Sequence, residues 1–119
     1  MSDEQAIQTV VHLYVDGMVF ANEAALKKAF HPQAAIAGHF NGGLEWLSRD
    51  QFIAEVVAAG SAAPGTQPVM DIQSIDITEG AASLKVVDEL GGLRFTDYLS
   101  LLKIDGRWVI VNKIYHLHA

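Results

Sequence analysis

The spacing of hydrophobic positions predicts helices in the first part of the chain. Apolar side chains recur at i, i+3, i+4 and i+7, the pattern of one helical face, at Ile7, Val10, Val11, Tyr14, Val15 and Met18. Ser2 and Gln5 have the spacing of a capping box, which predicts that this helix begins beside Ser2. Asn22 is a typical N-cap for a second helix that runs through Phe30. His31-Pro32 ends it, because the residue before a proline avoids the helical conformation.

A third helix follows two short strands. Residues 34–40 and 44–47 are predicted to be strands, joined by a turn at Asn41-Gly42-Gly43. Ser48 and Gln51 again have the capping-box spacing, and Gly60 is a typical helix end. The inward face of this helix is predicted to hold Phe52, Ile53, Val56 and Val57. Residues 61–68, which include two prolines, are predicted to form a loop.

The rest of the chain has the alternating pattern of β-strands, at residues 69–77, 81–90 and in a long hairpin over 93–118. A phase change between Ile72 and Ile75 predicts a β-bulge near Gln73-Ser74. Asp105-Gly106 is the predicted hairpin turn, because glycine readily takes the positive φ that a type I′ turn needs. The order of elements predicts one α+β domain over residues 1–119, with three helices from the N-terminal half packed on a curved antiparallel sheet.

Counting outward from the two-residue turn predicts which hairpin side chains share a face of the sheet. The inner face is predicted to carry Asp97, Leu99, Leu101, Trp108, Ile110, Asn112, Ile114 and His116. The outer face is predicted to carry Tyr98, Ser100, Leu102, Val109, Val111, Lys113 and Tyr115. Both faces are mostly apolar, so we expect the helices to cover one. We expect a second copy of the chain to cover the other, as a two-fold homodimer.

Composition excludes several classes of partner. Hydrophobic residues make up 50% of the 119 residues, and the net charge is −6 with no basic cluster. These values argue against nucleic acid and anionic membrane as partners. The chain has no cysteine, no tight histidine ligand spacing and no apolar run long enough for a membrane span. With a polar, acidic start, the sequence predicts a cytoplasmic protein with neither a metal site nor a cofactor.

The chain resembles the nuclear transport factor 2-like superfamily over essentially its whole length. The similarity lies in the front-loaded helices, the FHPQAAI segment at residues 30–36 and the DYLSLLKIDGRWVIVNKIY run at 97–115. Within the superfamily the chain looks closest to the SnoaL-like and "putative lumazine-binding" domains. The resemblance implies a cone in which helices and bent sheet enclose a pocket, and a dimer through the outer sheet face. It leaves function open, because the superfamily holds isomerases, cyclases, dehydratases and domains without chemistry.

Ketosteroid isomerase, a distant member of the superfamily, suggests candidate catalytic residues. That enzyme uses a tyrosine and a protonated aspartate as oxyanion donors and a second aspartate as base. The resemblance puts Tyr14 and Asp97 at the donor positions and Gly38 at the position of the base. His39 and His116 are the imidazoles nearest to that position, and His39 is the nominated base. The same comparison turns Lys113 inward, whereas the hairpin count turns it outward, so both orientations stay open.

Three classes of function remain open. The first is a small-molecule enzyme of isomerase, cyclase or dehydratase type, in which Tyr14 and Asp97 stabilise enolate charge on an apolar carbonyl compound. The second is a non-catalytic pocket for an apolar metabolite, in which Tyr14 is a core aromatic side chain. The third is a dimerising scaffold whose pocket is filled. The predicted pocket lining consists of Met18, Phe30, Ile36, Trp46, Phe52, Val56, Leu99, Asn112 and His116.

Overall fold

Three helices pack on one six-stranded sheet in the computed structural model, which describes residues 1–118. The elements are α1 (Asp3–Val19), α2 (Glu23–Ala29), β1 (Phe30–Phe40), β2 (Gly43–Ser48), α3 (Arg49–Ala59), β3 (Met70–Thr78), β4 (Ala81–Leu90), β5 (Leu93–Ile104) and β6 (Arg107–Leu117). The strand order is β2-β1-β6-β5-β4-β3, and neighbours are antiparallel except for the parallel pair β1 and β6. The predicted α+β fold, with three helices on a curved and mainly antiparallel sheet, is confirmed.

The helices begin where the side-chain chemistry of the sequence predicts. The Ser2 hydroxyl accepts from the Gln5 backbone N–H at 3.1 Å, and the Gln5 side chain accepts from the Ser2 N–H at 2.9 Å. Ser48 and Gln51 make the same reciprocal pair at the start of α3, and Asn22 caps α2. These bonds satisfy N–H groups that have no partner inside the helix.

The core lies between the helices and the concave face of the sheet. On α1, Ile7, Val11 and Tyr14 are 0% exposed, and on α3 Phe52 is buried against the same core. Val57 was predicted to face inward with the other apolar residues of α3, and this prediction is wrong because Val57 is 45% exposed. The buried residues Phe52, Ile53 and Val56 span only about 100° around this short helix, and Val57 lies about 40° beyond the edge of that stripe at Ile53.

The hairpin register differs from the predicted count after its fourth pair. Leu101 pairs with Ile110 as predicted, but Ser100 then pairs with Asn112, so Val111 is an extra residue on β6. A bulge of one residue reverses the faces of every side chain beyond it. Asn112, Ile114 and His116 were therefore wrongly placed on the inner face, which instead carries Lys113 and Tyr115. The predicted bulge on β3, between Ile72 and Ser74, is confirmed.

Candidate functional site

A cavity of about 270 Å³ opens between α1, α3 and the inner face of the sheet. Its apolar wall consists of Met18, Phe40, Phe52, Val56, Ala59, Leu90 and Phe95, and its polar groups are Glu45, Glu55, Asp88, Lys113 and Tyr115. A neighbouring cavity of about 430 Å³ shares Met18, Val56, Ala59 and Leu90 with it and extends beneath the loop that follows α3. Two of the three buried ionisable residues, Asp88 and Lys113, lie in the wall of the smaller cavity, so it is the candidate site.

Behind the cavity, the first helix and β5 bring together the two residues that the isomerase comparison selected. The Tyr14 hydroxyl donates a hydrogen bond to Asp97 Oδ2 at 2.7 Å, and both residues are 0% exposed. The Tyr14 ring is fixed by an edge contact with Phe30, with centroids 5.4 Å apart. Neither Tyr14 nor Asp97 lines the cavity. Their predicted catalytic roles therefore remain predictions, but their mutual contact is present.

Asp88 on β4 connects this buried pair to the cavity. Val86 lies opposite Asp97 in the sheet, and Asp88, two residues along, shares the same face, so the two carboxyls are diagonal neighbours. The pKa of Asp88 is raised from 3.8 to about 9, first by burial, then by hydrogen bonding of the neutral acid to Asp97 and by the negative charge of Asp97, with the positive charge of Lys113 opposing the rise. Asp88 is consequently a neutral acid at pH 7, and it lines the cavity.

The proton on Asp88 also accounts for the hydrogen bonding of the cluster. Among residues 1–118, no side-chain or backbone donor reaches either carboxyl oxygen of Asp88 or Asp97 Oδ1. A proton held between the two carboxyls supplies one donor where the fold offers none. Tyr14 keeps its own proton, because burial first, and then the negative charge of Asp97, raise the pKa of the Tyr14 hydroxyl well above its ordinary value.

Sequence analysis did not select Asp88, although a signal for it was present. Leu84 and Val86 are buried inward-facing residues of β4, and Asp88 is the next member of the same alternation. A carboxyl on the apolar face of a strand is informative because burial of a charge must be compensated. Asp97 on β5 and Asp88 on β4 both meet this condition, so the criterion that selects Asp97 also selects Asp88.

Lys113 is held inside a cage of three aromatic rings. Its Nζ lies 4.6 Å from the Phe52 ring centroid, 4.8 Å from that of Tyr14 and 5.1 Å from that of Tyr115. The residue is 5% exposed, and within residues 1–118 no carboxylate forms an ion pair with it. The rings stabilise its positive charge through their electron-rich faces. The Val111 bulge turns Lys113 inward, which decides the orientation that the sequence left open.

One row of the inner face runs from β2 through β1 to β6, at Glu45, Gly38 and Tyr115. The Tyr115 ring lies over Gly38, where a Cβ would stand 2.8 Å from two ring atoms and closer still to the Tyr115 carbonyl oxygen. Across Gly38, the Tyr115 hydroxyl donates to the Glu45 carboxylate. Tyr115 therefore covers the position that the isomerase comparison assigns to the base.

A pair of carboxyls, Glu45 and Glu55, stands at the cavity wall near the solvent. Partial burial raises the pKa of Glu55, and the neighbouring Glu45 raises it further through its charge and a hydrogen bond. The pKa of the Tyr115 hydroxyl is also raised, first by burial and then by its hydrogen bond to Glu45. Of this pair, Glu55 is therefore the carboxylate whose pKa is raised in the direction of neutral pH.

The predicted pocket residues fall into three groups. Met18, Phe52 and Val56 line the cavity, whereas Phe30, Ile36 and Leu99 are buried core residues outside its lining. Trp46, Asn112 and His116 do not line it, and the nominated base His39 does not either.

Strand geometry explains why four of the predicted residues lie elsewhere. Trp46 is 73% exposed, because its neighbour Glu45 takes the inward direction on β2. His39 follows the inward Gly38 and so points to the outer face, where it lies beside the exposed His116. The prediction that Trp46 contributes to the pocket is wrong for this reason, whereas Asn112 and His116 were misplaced by the Val111 bulge.

Within residues 1–118, no helix has the length and apolar character needed to cross a membrane. Over the same residues, no group of three or more histidine, aspartate or glutamate side chains is arranged to hold a metal ion.

Comparison with known proteins identifies the family. Residues 2–116 match the model of the family described as "Putative lumazine-binding". The chain belongs to this family. The aldolase FrzH of Cladobotryum sp. is 29% identical over 115 residues, which cover 97% of this chain and 91% of that protein.

Solved structures place the family within the NTF2-like superfamily, as the sequence resemblance implied. An NTF2-like protein of unknown function from Silicibacter pomeroyi has a TM-score of 0.91 at 35% identity, over 99% of this chain and 100% of that one. A similar protein from Shewanella baltica has a TM-score of 0.86 at 31% identity, over 100% and 98% of the two chains. A ketosteroid isomerase-like protein from Erwinia carotovora atroseptica, 12% identical with full coverage of this chain and a TM-score of 0.75, shares the fold.

Proposed function

We propose that this protein is an enzyme that binds a small, apolar carbonyl compound in the cavity and transfers a proton at the carbon next to the carbonyl group. The observation that carries the proposal is the pairing of a neutral acid, Asp88, with a caged cation, Lys113, at one apolar cavity. Both groups present hydrogen-bond donors where the oxygen of an enolate would develop negative charge. The reaction class includes isomerisation and aldol-type addition.

In this proposal, Tyr14 and Asp97 are positioning residues behind the group that contacts the substrate. The Tyr14 hydroxyl orients Asp97, and Asp97 in turn keeps the proton on Asp88. Their role differs from the direct oxyanion contact that the isomerase comparison suggested, because neither residue lines the cavity.

The base of the proposed reaction is Glu55, assisted by Glu45. Both carboxyls line the cavity, and the raised pKa of Glu55 makes it a stronger base than an ordinary carboxylate. His39 is exposed on the outer face of the sheet and does not line the cavity, so it is not the proposed base. The name of the aldolase relative supports the class, since an aldol reaction also begins with proton loss beside a carbonyl. The family description supports a small-molecule ligand.

A non-catalytic ligand-binding domain is the second candidate. One observation favours it, since Tyr115 covers Gly38, the position that corresponds to the base of the isomerase. A pocket with donors but without a base would bind a carbonyl compound and release it unchanged.

Hydrogen–deuterium exchange at carbon separates the two candidates. The protein is incubated in D₂O with the uncharged ketones 4-phenyl-2-butanone and 2-indanone, and loss of the proton beside the carbonyl is followed by ¹H NMR. We expect exchange above the buffer rate, and a reduction by about 10²-fold or more in Asp88→Asn and in Lys113→Met, as for loss of one oxyanion donor.

Lys28→Met is the matched control, because Lys28 is exposed on α2 and should leave the exchange rate unchanged. Ketone binding detected by chemical-shift changes, without exchange above the buffer rate, would overturn the enzymatic proposal in favour of the binding domain. The absence of both ketone binding and exchange would favour the dimerising scaffold.

A further inference from the structure

Lys113 is chemically distinct from the other four lysines of the chain. Lys27 pairs with Glu23, Lys103 pairs with Asp3, and neither of these lysines is buried. Lys113 is a primary amine at the wall of a cavity, 5% exposed, with no carboxylate ion pair among residues 1–118. An amine in such a place is free to approach the carbonyl carbon of a bound ligand, and desolvated lysines in apolar pockets serve as nucleophiles in this way.

We infer that Lys113 forms a Schiff base with the carbonyl group of an uncharged apolar aldehyde or ketone bound in the cavity. The inference rests on the proposed function and deepens it, because a covalent iminium replaces the ammonium as the group that withdraws electrons from the neighbouring carbon. The adjacent carbon then loses its proton to give an enamine.

The cage of aromatic rings fits the charge of the product. Condensation moves one positive charge from an ammonium to an iminium at the same nitrogen, which lies 4.6 to 5.1 Å from three ring centroids. The rings that stabilise the first cation therefore stabilise the second. The apolar wall also limits access of bulk water, which would hydrolyse the iminium.

Asp88 and Glu55, both in the cavity wall, supply the proton transfers that the condensation needs. The Lys113 ammonium first gives one proton to the Glu55 carboxylate, and the neutral amine then adds to the carbonyl carbon while the carbon–oxygen π electrons move to oxygen. Asp88 gives that oxygen its proton and takes one back from the nitrogen. Glu55 returns its proton to the hydroxyl group, the nitrogen lone pair forms the second carbon–nitrogen bond, and the carbon–oxygen bond breaks to release water. Ammonium and carbonyl compound thus give iminium and water with no oxidant or reductant.

The charge of the surroundings selects the class of ligand. Asp88 and Asp97 lie at the buried end of the site, and Glu45 and Glu55 lie in the wall of the cavity. A ligand with a carboxylate or phosphate would meet repulsion from the carboxylates of Asp97, Glu45 and Glu55, and these carboxylates would compete with it for the one cation, Lys113. The site therefore fits an uncharged aldehyde or ketone better than an anionic keto acid.

Reductive trapping tests the inference. The protein is mixed with a limiting amount of 3-phenylpropanal and sodium cyanoborohydride, which reduces iminium ions in preference to aldehydes, and the modified lysines are mapped by peptide mass spectrometry. We expect the label on Lys113 to exceed that on Lys27, Lys28, Lys85 or Lys103 roughly tenfold or more, because binding raises the local concentration of the aldehyde. The four other lysines serve as internal controls in the unmodified chain.

Two variants sharpen the test, with circular dichroism to confirm that each is folded. Asp88→Asn should lower the label on Lys113 and leave that on Lys28 unchanged, because Lys28 condenses without an acid from the protein. Lys113→Arg keeps the positive charge but cannot form the iminium, so we expect it to lose ketone exchange in D₂O.

The outcomes for this inference and for the proposed function can be told apart. Ketone exchange in the wild type without preferential label on Lys113 would overturn the Schiff base but leave the proposed proton transfer in place. Full ketone exchange in Lys113→Arg would have the same meaning. Preferential label on Lys113 without exchange supports the Schiff base and overturns the proton transfer. Absence of both overturns both.

Discussion

At the scale of single residues, the site is a line of three polar side chains, Tyr14, Asp97 and Asp88, in which three carboxyl oxygens lack a donor from the described residues. Tyr14 donates to Asp97, but Asp97 Oδ1 and both oxygens of Asp88 have no donor within residues 1–118. Each unsatisfied buried oxygen would cost roughly 1–3 kcal/mol. One proton shared by the two carboxyls reduces this cost, and burial, the largest cause of the raised pKa of Asp88, favours the neutral acid in the same way.

The Tyr14–Asp97 hydrogen bond should contribute measurably to stability. Tyr14→Phe leaves a buried carboxyl oxygen without its donor, so we expect the free energy of unfolding to fall by about 1.5–3 kcal/mol. A double-mutant cycle with Asp97→Asn, measured by urea denaturation, should give a coupling energy of roughly 1 kcal/mol or more. Tyr98→Phe is the control, since Tyr98 is 45% exposed and should change stability by less than about 0.5 kcal/mol. A coupling energy near zero would contradict the assignment.

Asp88 should make the protein less stable as pH rises. Its folded pKa of about 9 exceeds the ordinary 3.8, so between these values the folded state binds more protons than the unfolded state. The stabilisation is complete below the unfolded pKa and is lost as pH rises toward 9. We expect urea denaturation between pH 5 and pH 8 to show a loss of up to about 1.4 kcal/mol per pH unit from this group, absent in Asp88→Asn.

The matched control for this pH dependence is Asp76→Asn, because Asp76 is exposed on β3. It should keep the slope of the wild type. A slope that persists in Asp88→Asn would show that another group carries it.

At the scale of elements, the sequence predicts features that depend on neighbouring side chains and misses features that depend on strand pairing across the sheet. Both capping boxes follow from side chains three residues apart, and the β3 bulge is visible because the apolar phase changes between Ile72 and Ile75. The Val111 bulge on β6 has no such signal. Residues 109–111 are all apolar, so a change of face within them leaves no trace in the pattern.

This one bulge decides most of the site. It brings Lys113 and Tyr115 into the core side of the sheet and moves Asn112 and His116 away from it. The fold and the Tyr14–Asp97 pair could be predicted from the sequence, and Asp88 could have been found by alternation along β4. The aromatic cage could not, because it depends on the register of β6 and on rings from α1 and α3.

The crossing of Tyr115 over Gly38 predicts a specific cost for a small substitution. Gly38→Ala would place a methyl group against the Tyr115 ring and its backbone carbonyl, which cannot move without disturbing the β1–β6 pairing. We expect a loss of about 1–3 kcal/mol in the free energy of unfolding, measured by urea denaturation. Gly43→Ala, with its nearest contact at 3.8 Å, is the control and should have little effect. Equal stability of the two variants would contradict this packing.

At the scale of the whole molecule, the outer face of the sheet carries a row of exposed apolar side chains. The row runs across β2, β1, β6 and β5, through Trp46, Ala37, Ile114 and Tyr98. The exposed fraction is 73% for Trp46, 50% for Ile114 and 45% for Tyr98. Scattered apolar residues are normal on a surface, but a contiguous row favours an interface. The sequence predicts Tyr115 on the outer face and Ile114 on the inner face, whereas the Val111 bulge turns Tyr115 inward and Ile114 outward.

We expect a two-fold homodimer through this row, as the sequence analysis predicted. Light scattering at tens of micromolar should give the mass of a dimer for the wild type and of a monomer for Ile114→Glu, because an interface of standard size holds in that range. Val57→Glu introduces the same charge on α3, away from the sheet, and should remain dimeric. A monomeric wild type would refute the interface.

The cavity is built around a carboxyl group that is kept neutral, and a carbon-detected NMR titration of the Asp88 side chain measures that protonation state. The carboxyl carbon, assigned by comparison with Asp88→Asn, is followed from pH 4 to pH 10. We expect its shift to remain that of the protonated acid at pH 7 and to change near pH 9. A transition near pH 4, as for an exposed aspartate, would show that Asp88 is charged in the folded protein at pH 7 and would refute its role as the neutral acid.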